Sequence, residues 1–122
     1  WKAELLAATG AELHVYAADE PELFAGLAAD PPAGLVCVHE RRWQAGDLTD
    51  AALAIGDIEQ ADEARSFVAA ARQAGVPVNV VDKPEFCDFS FGSLVNRSPL
   101  IVAISTDGAA PVFGQAVRAK IE

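Results

Sequence analysis

Four short apolar runs alternate with helix-like stretches, and that alternation constrains the fold of this chain more than any other feature. "ELHVYA" (12–17), "LVCVH" (35–39), "AALAI" (51–55) and "VPVNVVD" (76–82) read as strands. The opening "WKAELLAATG" has apolar residues at Leu5, Leu6 and Ala8 and stops at Gly10, a residue suited to ending a helix. Asp19 and Glu22 are spaced as a capping box, and Pro21 suits a first helical turn. Leu23, Phe24, Leu27 and Ala28 would form the inner face of that helix. Asp57 is expected to open a longer helix to about Ala74, with Ile58, Ala61, Phe67, Val68 and Ala71 inward and Gly75 as its stop. Strands separated by helices predict βαβ units and a parallel sheet. "VNVV" is near-continuously apolar, as parallel strands buried on both faces are.

The pattern changes near residue 83. "FSFGSLVNRSPLIVAIST" (89–106) holds two strand-like runs with no helix between them, and "NRSP" (96–99) is expected as the turn. The stretch from about Ala110 to Glu122 looks helical. The chain therefore divides into an α/β unit (1–83) and a β-β-α module (84–122).

Composition removes several function classes. The 122 residues carry a net charge of −9, which argues against nonspecific binding to nucleic acid or anionic lipid. No apolar run approaches the ~20 residues of a membrane span. The two cysteines, Cys37 and Cys87, are too few for a disulfide framework or a zinc site, so a reducing cytoplasm is the default. Cys37 reads as core, and Cys87 as a neighbour of Asp82. His14 and His39 sit in or beside strands with no third partner, so both read as structural and no metal site is assigned. The chain has no methionine and opens inside a helix-like pattern, so it is expected to be a fragment with something upstream.

Ligands of open parallel sheets bind beyond the carboxyl ends of the strands. Asp82 lies at such an end and is a candidate base, or a turn former, since Asp is common before loops. "STDGAAP" (105–111) can present backbone N–H groups to an anion, or it can be a helix cap built on Ser105, Thr106 or Asp107. "HERRWQAGDL" (39–48) is a basic spot in an acidic chain, or a surface loop with Trp43 tucked inward. No G-x-G-x-x-G loop follows a strand.

Five stretches give the chain a family resemblance: "WKAELLAATGAELHVYA" (1–17), "RRWQAGDL" (41–48), "GVPVNVVDKP" (75–84), "VNRSPLIVAISTDGAAP" (95–111) and "VRAKIE" (117–122). In order and spacing the chain resembles the precorrin-2 dehydrogenase / sirohydrochlorin ferrochelatase family, which includes the N-terminal part of siroheme synthase. The resemblance implies a Rossmann-like parallel sheet, lacking its first strand here, followed by a dimerisation module. It implies NAD as cofactor, oxidation of precorrin-2 to sirohydrochlorin, and in some members insertion of ferrous iron. By the same resemblance Asp82 is the acid/base residue, and Gly56 and Asp57 lie in a loop near the cofactor. Asp19 could approach a ribose or cap a helix. Arg41, Arg42, Lys83 and Arg97 are candidates to hold the carboxylate-rich tetrapyrrole, with Ser105 and Thr106 beside them. A serine phosphorylated in some members corresponds to Thr106.

Some positions depart from the family pattern. "AIGDIEQ" (54–60) stands where the family reads "AATDD", and Ala64 stands at a usual asparagine. The rival reading is therefore a degenerate, non-catalytic homologue that binds a tetrapyrrole or nucleotide, or serves in dimerisation. "LIVAI" (100–104) would otherwise risk exposing an edge, so a homodimer is expected.

Overall fold

Among the described residues, two parallel strand pairs and one antiparallel pair take up the apolar runs. The computed structural model describes residues 1–97 and 100–122, and the expected "NRSP" turn lies partly outside the described residues. The chain forms two compact units, Trp1–Thr49 and Asp50–Glu122.

In the first unit, helix α1 (Lys2–Ala8) ends at Thr9 and Gly10, and Gly10 takes a left-handed φ of 82°. Strand β1 (Glu12–Tyr16) pairs in parallel with β2 (Leu35–His39), from Glu12↔Leu35 to Tyr16↔His39. Helix α1 packs on β1, and Ala7 and Val36 are buried. The expected capping box at Asp19 and Glu22 does not form. Residues Pro21–Phe24 make a 3₁₀ turn preceded by Glu20 in a left-handed conformation, with no side-chain cap. Only Ala25–Ala29 then continues as helix α2. A 3₁₀ turn has three residues rather than 3.6, so positions 23, 24, 27 and 28 leave a common stripe. Leu23 is 71% exposed as a result.

In the second unit, β3 (Ala54–Gly56) and β4 (Val78–Val80) pair in parallel, Gly56 opposite Val80. Val78, Asn79 and Val80 are all buried, as a strand covered on both faces must be. Helix α3 (Ala61–Ala74) buries Ala64, Phe67, Val68 and Ala71, an i, i+3, i+4, i+7 stripe. It starts three residues later than expected: Gln60, not Asp57, precedes its first turn. Ile58 is buried but lies before the helix, while Ala61 is exposed. The connecting residues use Ile58 to fill space beside Gly56, and this apolar residue mimics a helical position. Gly75 ends the helix at φ 72°, with Gly75 N–H donating to Arg72 O and Val76 N–H to Ala71 O. Strands β5 (Ser93–Arg97) and β6 (Leu100–Ile104) pair antiparallel, and α4 (Pro111–Ile121) packs on β5. No helix among the described residues is long and apolar enough to cross a membrane.

Candidate functional site

The carboxyl end of the β3–β4 pair gathers the candidate acid/base residue and its neighbours. Asp57 follows Gly56 directly, and Asp82 stands two residues past Val80, so both carboxylates emerge at one end of two parallel neighbours. Both are exposed. Val81 N–H donates to Gly56 O at 2.8 Å and ties the two strand ends together.

Asp82 occupies a tight turn closed by Lys83 N–H to Val80 O at 3.2 Å. Its φ is 58°, in the left-handed region that Asp and Asn enter more easily than most side chains. Asp82 is therefore a turn former by conformation, and its exposure leaves the carboxylate open to a partner. The chain behind the turn is anchored along β4. Asp88 N–H donates to Val78 O at 2.8 Å, and Val78 N–H donates to Asp88 Oδ2 at 3.0 Å. Buried Asn79 donates through Nδ2 to Phe89 O at 2.9 Å, and Val80 N–H reaches Cys87 Sγ at 3.2 Å. Cys87 thus holds the loop to the strand. Asn79 and Asp88 were not singled out from the sequence. The one sign of them is a polar residue inside "VNVV", which must find a hydrogen-bond partner once buried. A shallow depression of about 290 Å³, lined by Arg72, Gly75, Val76, Pro77 and Asp88, lies at the opposite, amino end of β4.

The other candidates divide by the work they already do. Gly56 is buried, and a side-chain carbon there would lie 2.9 Å from Phe67 Cε1 and 3.0 Å from Ile58 Cδ1, so its smallness serves packing. Arg97 donates to the Glu122 carbonyl. Ser105 Oγ accepts from Asp107 N–H at 3.2 Å, and Thr106 Oγ1 accepts from Ala110 N–H at 3.4 Å. These bonds close the loop on itself. The residue that precedes helix α4 is Ala110, without a side-chain cap, rather than Ser105, Thr106 or Asp107.

In the first unit, Asp19 is exposed three residues past the end of β1, open to a hydroxyl donor. Arg41 is committed. It donates to both carboxylate oxygens of Asp47 at 2.8 Å and to the Arg42 carbonyl at 3.0 Å. Gln44 N–H donates to the same carboxylate at 2.7 Å. The Arg41 guanidinium beside Asp47 holds that carboxyl at about 2, against the opposing effect of burial. Burial, then the Asp47 charge, pushes the Tyr16 phenol up. Arg42 is exposed in the same loop, and Trp43 is half-buried.

A family model described as "Putative NAD(P)-binding" matches residues 1–93. The siroheme synthase of Pseudomonas putida (strain W619) is 43% identical over 121 residues, 99% of this chain and 25% of that protein. The siroheme synthase of Azotobacter vinelandii is 42% identical over 99% of this chain and 25% of its own length. That of Nitrosomonas europaea is 37% identical over 122 residues, again 25% of its length. The chain thus spans about a quarter of these relatives. A solved structure titled "SirC, precorrin-2 dehydrogenase" superposes with a TM-score of 0.51 at 14% identity, covering 92% of this chain and 65% of that one. That likeness is one of fold, a Rossmann-like α/β arrangement.

Proposed function

The chain belongs to this NAD(P)-binding family, and from that premise we propose that it serves NAD-dependent oxidation of precorrin-2 to sirohydrochlorin on the way to siroheme. The observation that carries the reading is the exposed Asp82 carboxylate at the carboxyl end of the parallel β3–β4 pair. The siroheme synthase relatives support it across the whole chain.

Two residues suit a nucleotide. Exposed Asp19, past the end of β1, is an acceptor for ribose hydroxyls, and exposed Asp57 lies at the end of β3. Gly56 keeps Phe67 and Ile58 close and, in this reading, leaves its backbone free of a side chain on the cofactor's side. When bound, the oxidised nicotinamide is the acceptor of one hydride from precorrin-2. The second hydrogen leaves as a proton, and an Asp82 oxygen takes it and passes it to water. Lys83, next to Asp82, is placed to hold a substrate carboxylate. Arg41 and Arg97 already serve Asp47 and the Glu122 carbonyl, so they are weaker candidates. Residues 1–83 would serve the cofactor and 84–122 would serve a second copy of the chain. Ferrous iron as a later substrate and a cytoplasmic location belong to the same reading.

The test is direct. Purified protein is mixed with precorrin-2 and either NAD or NADP, and sirohydrochlorin is followed by its absorbance with reduced nicotinamide beside it. Equimolar formation of both products, faster with NAD, is expected. Tetrapyrrole binding without turnover would favour the degenerate homologue instead.

A further inference from the structure

The second polar cluster lies on the β1–β2 pair. In-register partners of a parallel pair share a face, so Glu12, His14 and Tyr16 stand beside Leu35, Cys37 and His39. His14 Nδ1 lies 2.9 Å from His39 Nε2, and the ring centroids are 5.2 Å apart at 16°. Such a short nitrogen contact with so wide a centroid separation puts the rings end to end, nearly in one plane, and not face to face. On the far side of His14, Nε2 lies 2.9 Å from Glu12 Oε1. An ionised carboxylate only accepts, so neutral His14 carries its proton on Nε2 and turns the Nδ1 lone pair toward His39. His39 is steadied by Tyr16, which stacks on it at 4.6 Å and 11°. Arg41 sits 4.9 Å over the Tyr16 ring, itself fixed by Asp47. The His14 side chain is 41% exposed, within reach of solvent ions.

We propose that His14 and His39 form a two-histidine site for a divalent transition metal, of the class that imidazole binds well: zinc, copper or nickel. Histidines that bind metal usually donate their other N–H to a carboxylate, which orients the ring, and Glu12 already stands in that position toward His14. The chain's charge of −9 draws cations toward it. To admit an ion between the two facing lone pairs, the His39 proton moves from Nε2 to Nδ1 and the exposed His14 ring swings outward, so that the facing nitrogens part from 2.9 Å to about 4.1 Å, twice the Zn–N distance. Each then reaches about 2.0–2.1 Å from the metal. The neutral pair releases no net proton. Among the described residues no group of three or more His, Cys, Asp or Glu converges on one point, so water fills the remaining positions. The inference stands apart from the redox reading.

Zn²⁺ is the probe, titrated calorimetrically into metal-free protein, with the imidazole nitrogens followed by NMR. One ion per chain is expected, shifting the ring nitrogens of both His14 and His39. His14→Ala and His39→Ala should each weaken binding at least tenfold, and Glu12→Ala by about 10–100-fold. Cu²⁺ should bind more tightly than Ni²⁺. Circular dichroism of each variant, with its Zn²⁺ affinity measured only where the fold matches the parent, separates ligand loss from unfolding. His14→Gln, which keeps a hydrogen-bonding side chain, should lose zinc as the alanine variant does. Saturable binding that survives both histidine variants, absence of saturable binding, or ring nitrogens that ignore Zn²⁺ would overturn the proposal and leave the pair a plain hydrogen bond.

Discussion

Asp82 joins two roles that pull on different substitutions. Its left-handed backbone costs most side chains on the order of 1–3 kcal/mol, but Asn enters that region as readily as Asp. Asp82→Asn should therefore melt like the parent, while turnover of precorrin-2 falls by about 10²–10⁴-fold, because an amide is no base near neutral pH. Sirohydrochlorin formation measured beside thermal melting decides it, and equal turnover would reduce Asp82 to a turn residue. Asp47 gives a prediction in pH. Its folded carboxyl titrates at about 2, below the unfolded value of about 3.9. The depressed pKa means that its stabilisation is full above the unfolded value and is lost as pH falls through about 4 toward 2. Asp47→Asn should be less stable than the parent at neutral pH, and the gap should close over that acid window in denaturant titrations. A gap that stays constant with pH would mean that the Arg41 pair contributes nothing through charge. That pairing was not legible in the sequence. "RRWQAGDL" shows a cation and an anion six residues apart, but only the loop geometry turns one onto the other. The His14–His39 contact was equally hidden, since it depends on a parallel register between residues 25 apart.

At the scale of elements, the first two strands were legible to within a residue, while the third begins at Ala54 rather than 51 and the fourth keeps only Val78–Val80 of the expected 76–82, because the flanking turns continue the apolar run. The α3 stripe came through because four apolar positions share one face, but its start did not, because Ile58 continues the spacing from outside the helix. The α2 region failed because a 3₁₀ turn and an α-turn can begin with the same Pro and acidic residues. Gly56 shows how a strand can depend on a helix. With Phe67 Cε1 2.9 Å from where its side-chain carbon would stand, Gly56→Ala must push α3 away from β3 or rotate the Phe67 ring. Overpacking of this kind costs about 1–3 kcal/mol. The denaturant midpoint should fall with an unchanged slope, and Gly56→Ala combined with Phe67→Leu should recover part of the loss. If the single variant is as stable as the parent, the smallness of Gly56 has some other use, and a role in cofactor contact regains ground.

For the whole molecule, the question is what covers the second unit. Among the described residues, β5 and β6 make a two-stranded sheet, a size that is marginal alone in water. Leu100 and Ile101 are 63% and 64% exposed, and Ala103 beyond Ile101 is exposed too, so one face of β6 is open while Val102 and Ile104 on the other are half-buried. Val112, Phe113 and Ile121 on α4 are exposed as well. Scattered apolar residues need no partner, but an uncovered apolar edge strand beside an apolar helix invites one. A second copy of the chain is the cover we expect, each β6 and α4 meeting those of its partner around a twofold axis. Sedimentation at micromolar concentration should then give a dimer. Ile101→Lys or Phe113→Lys, which places a charge where water would have to be excluded, should shift it to monomer and lower the melting temperature by several degrees. The lysine variants also guard the inference against crystal-like association, since unspecific clustering through a sticky surface would fade gradually with each substitution rather than stop at a single one. A parent that sediments as a monomer across the micromolar range would leave β6 exposed in solution, and dimerisation would then not be what residues 84–122 are for.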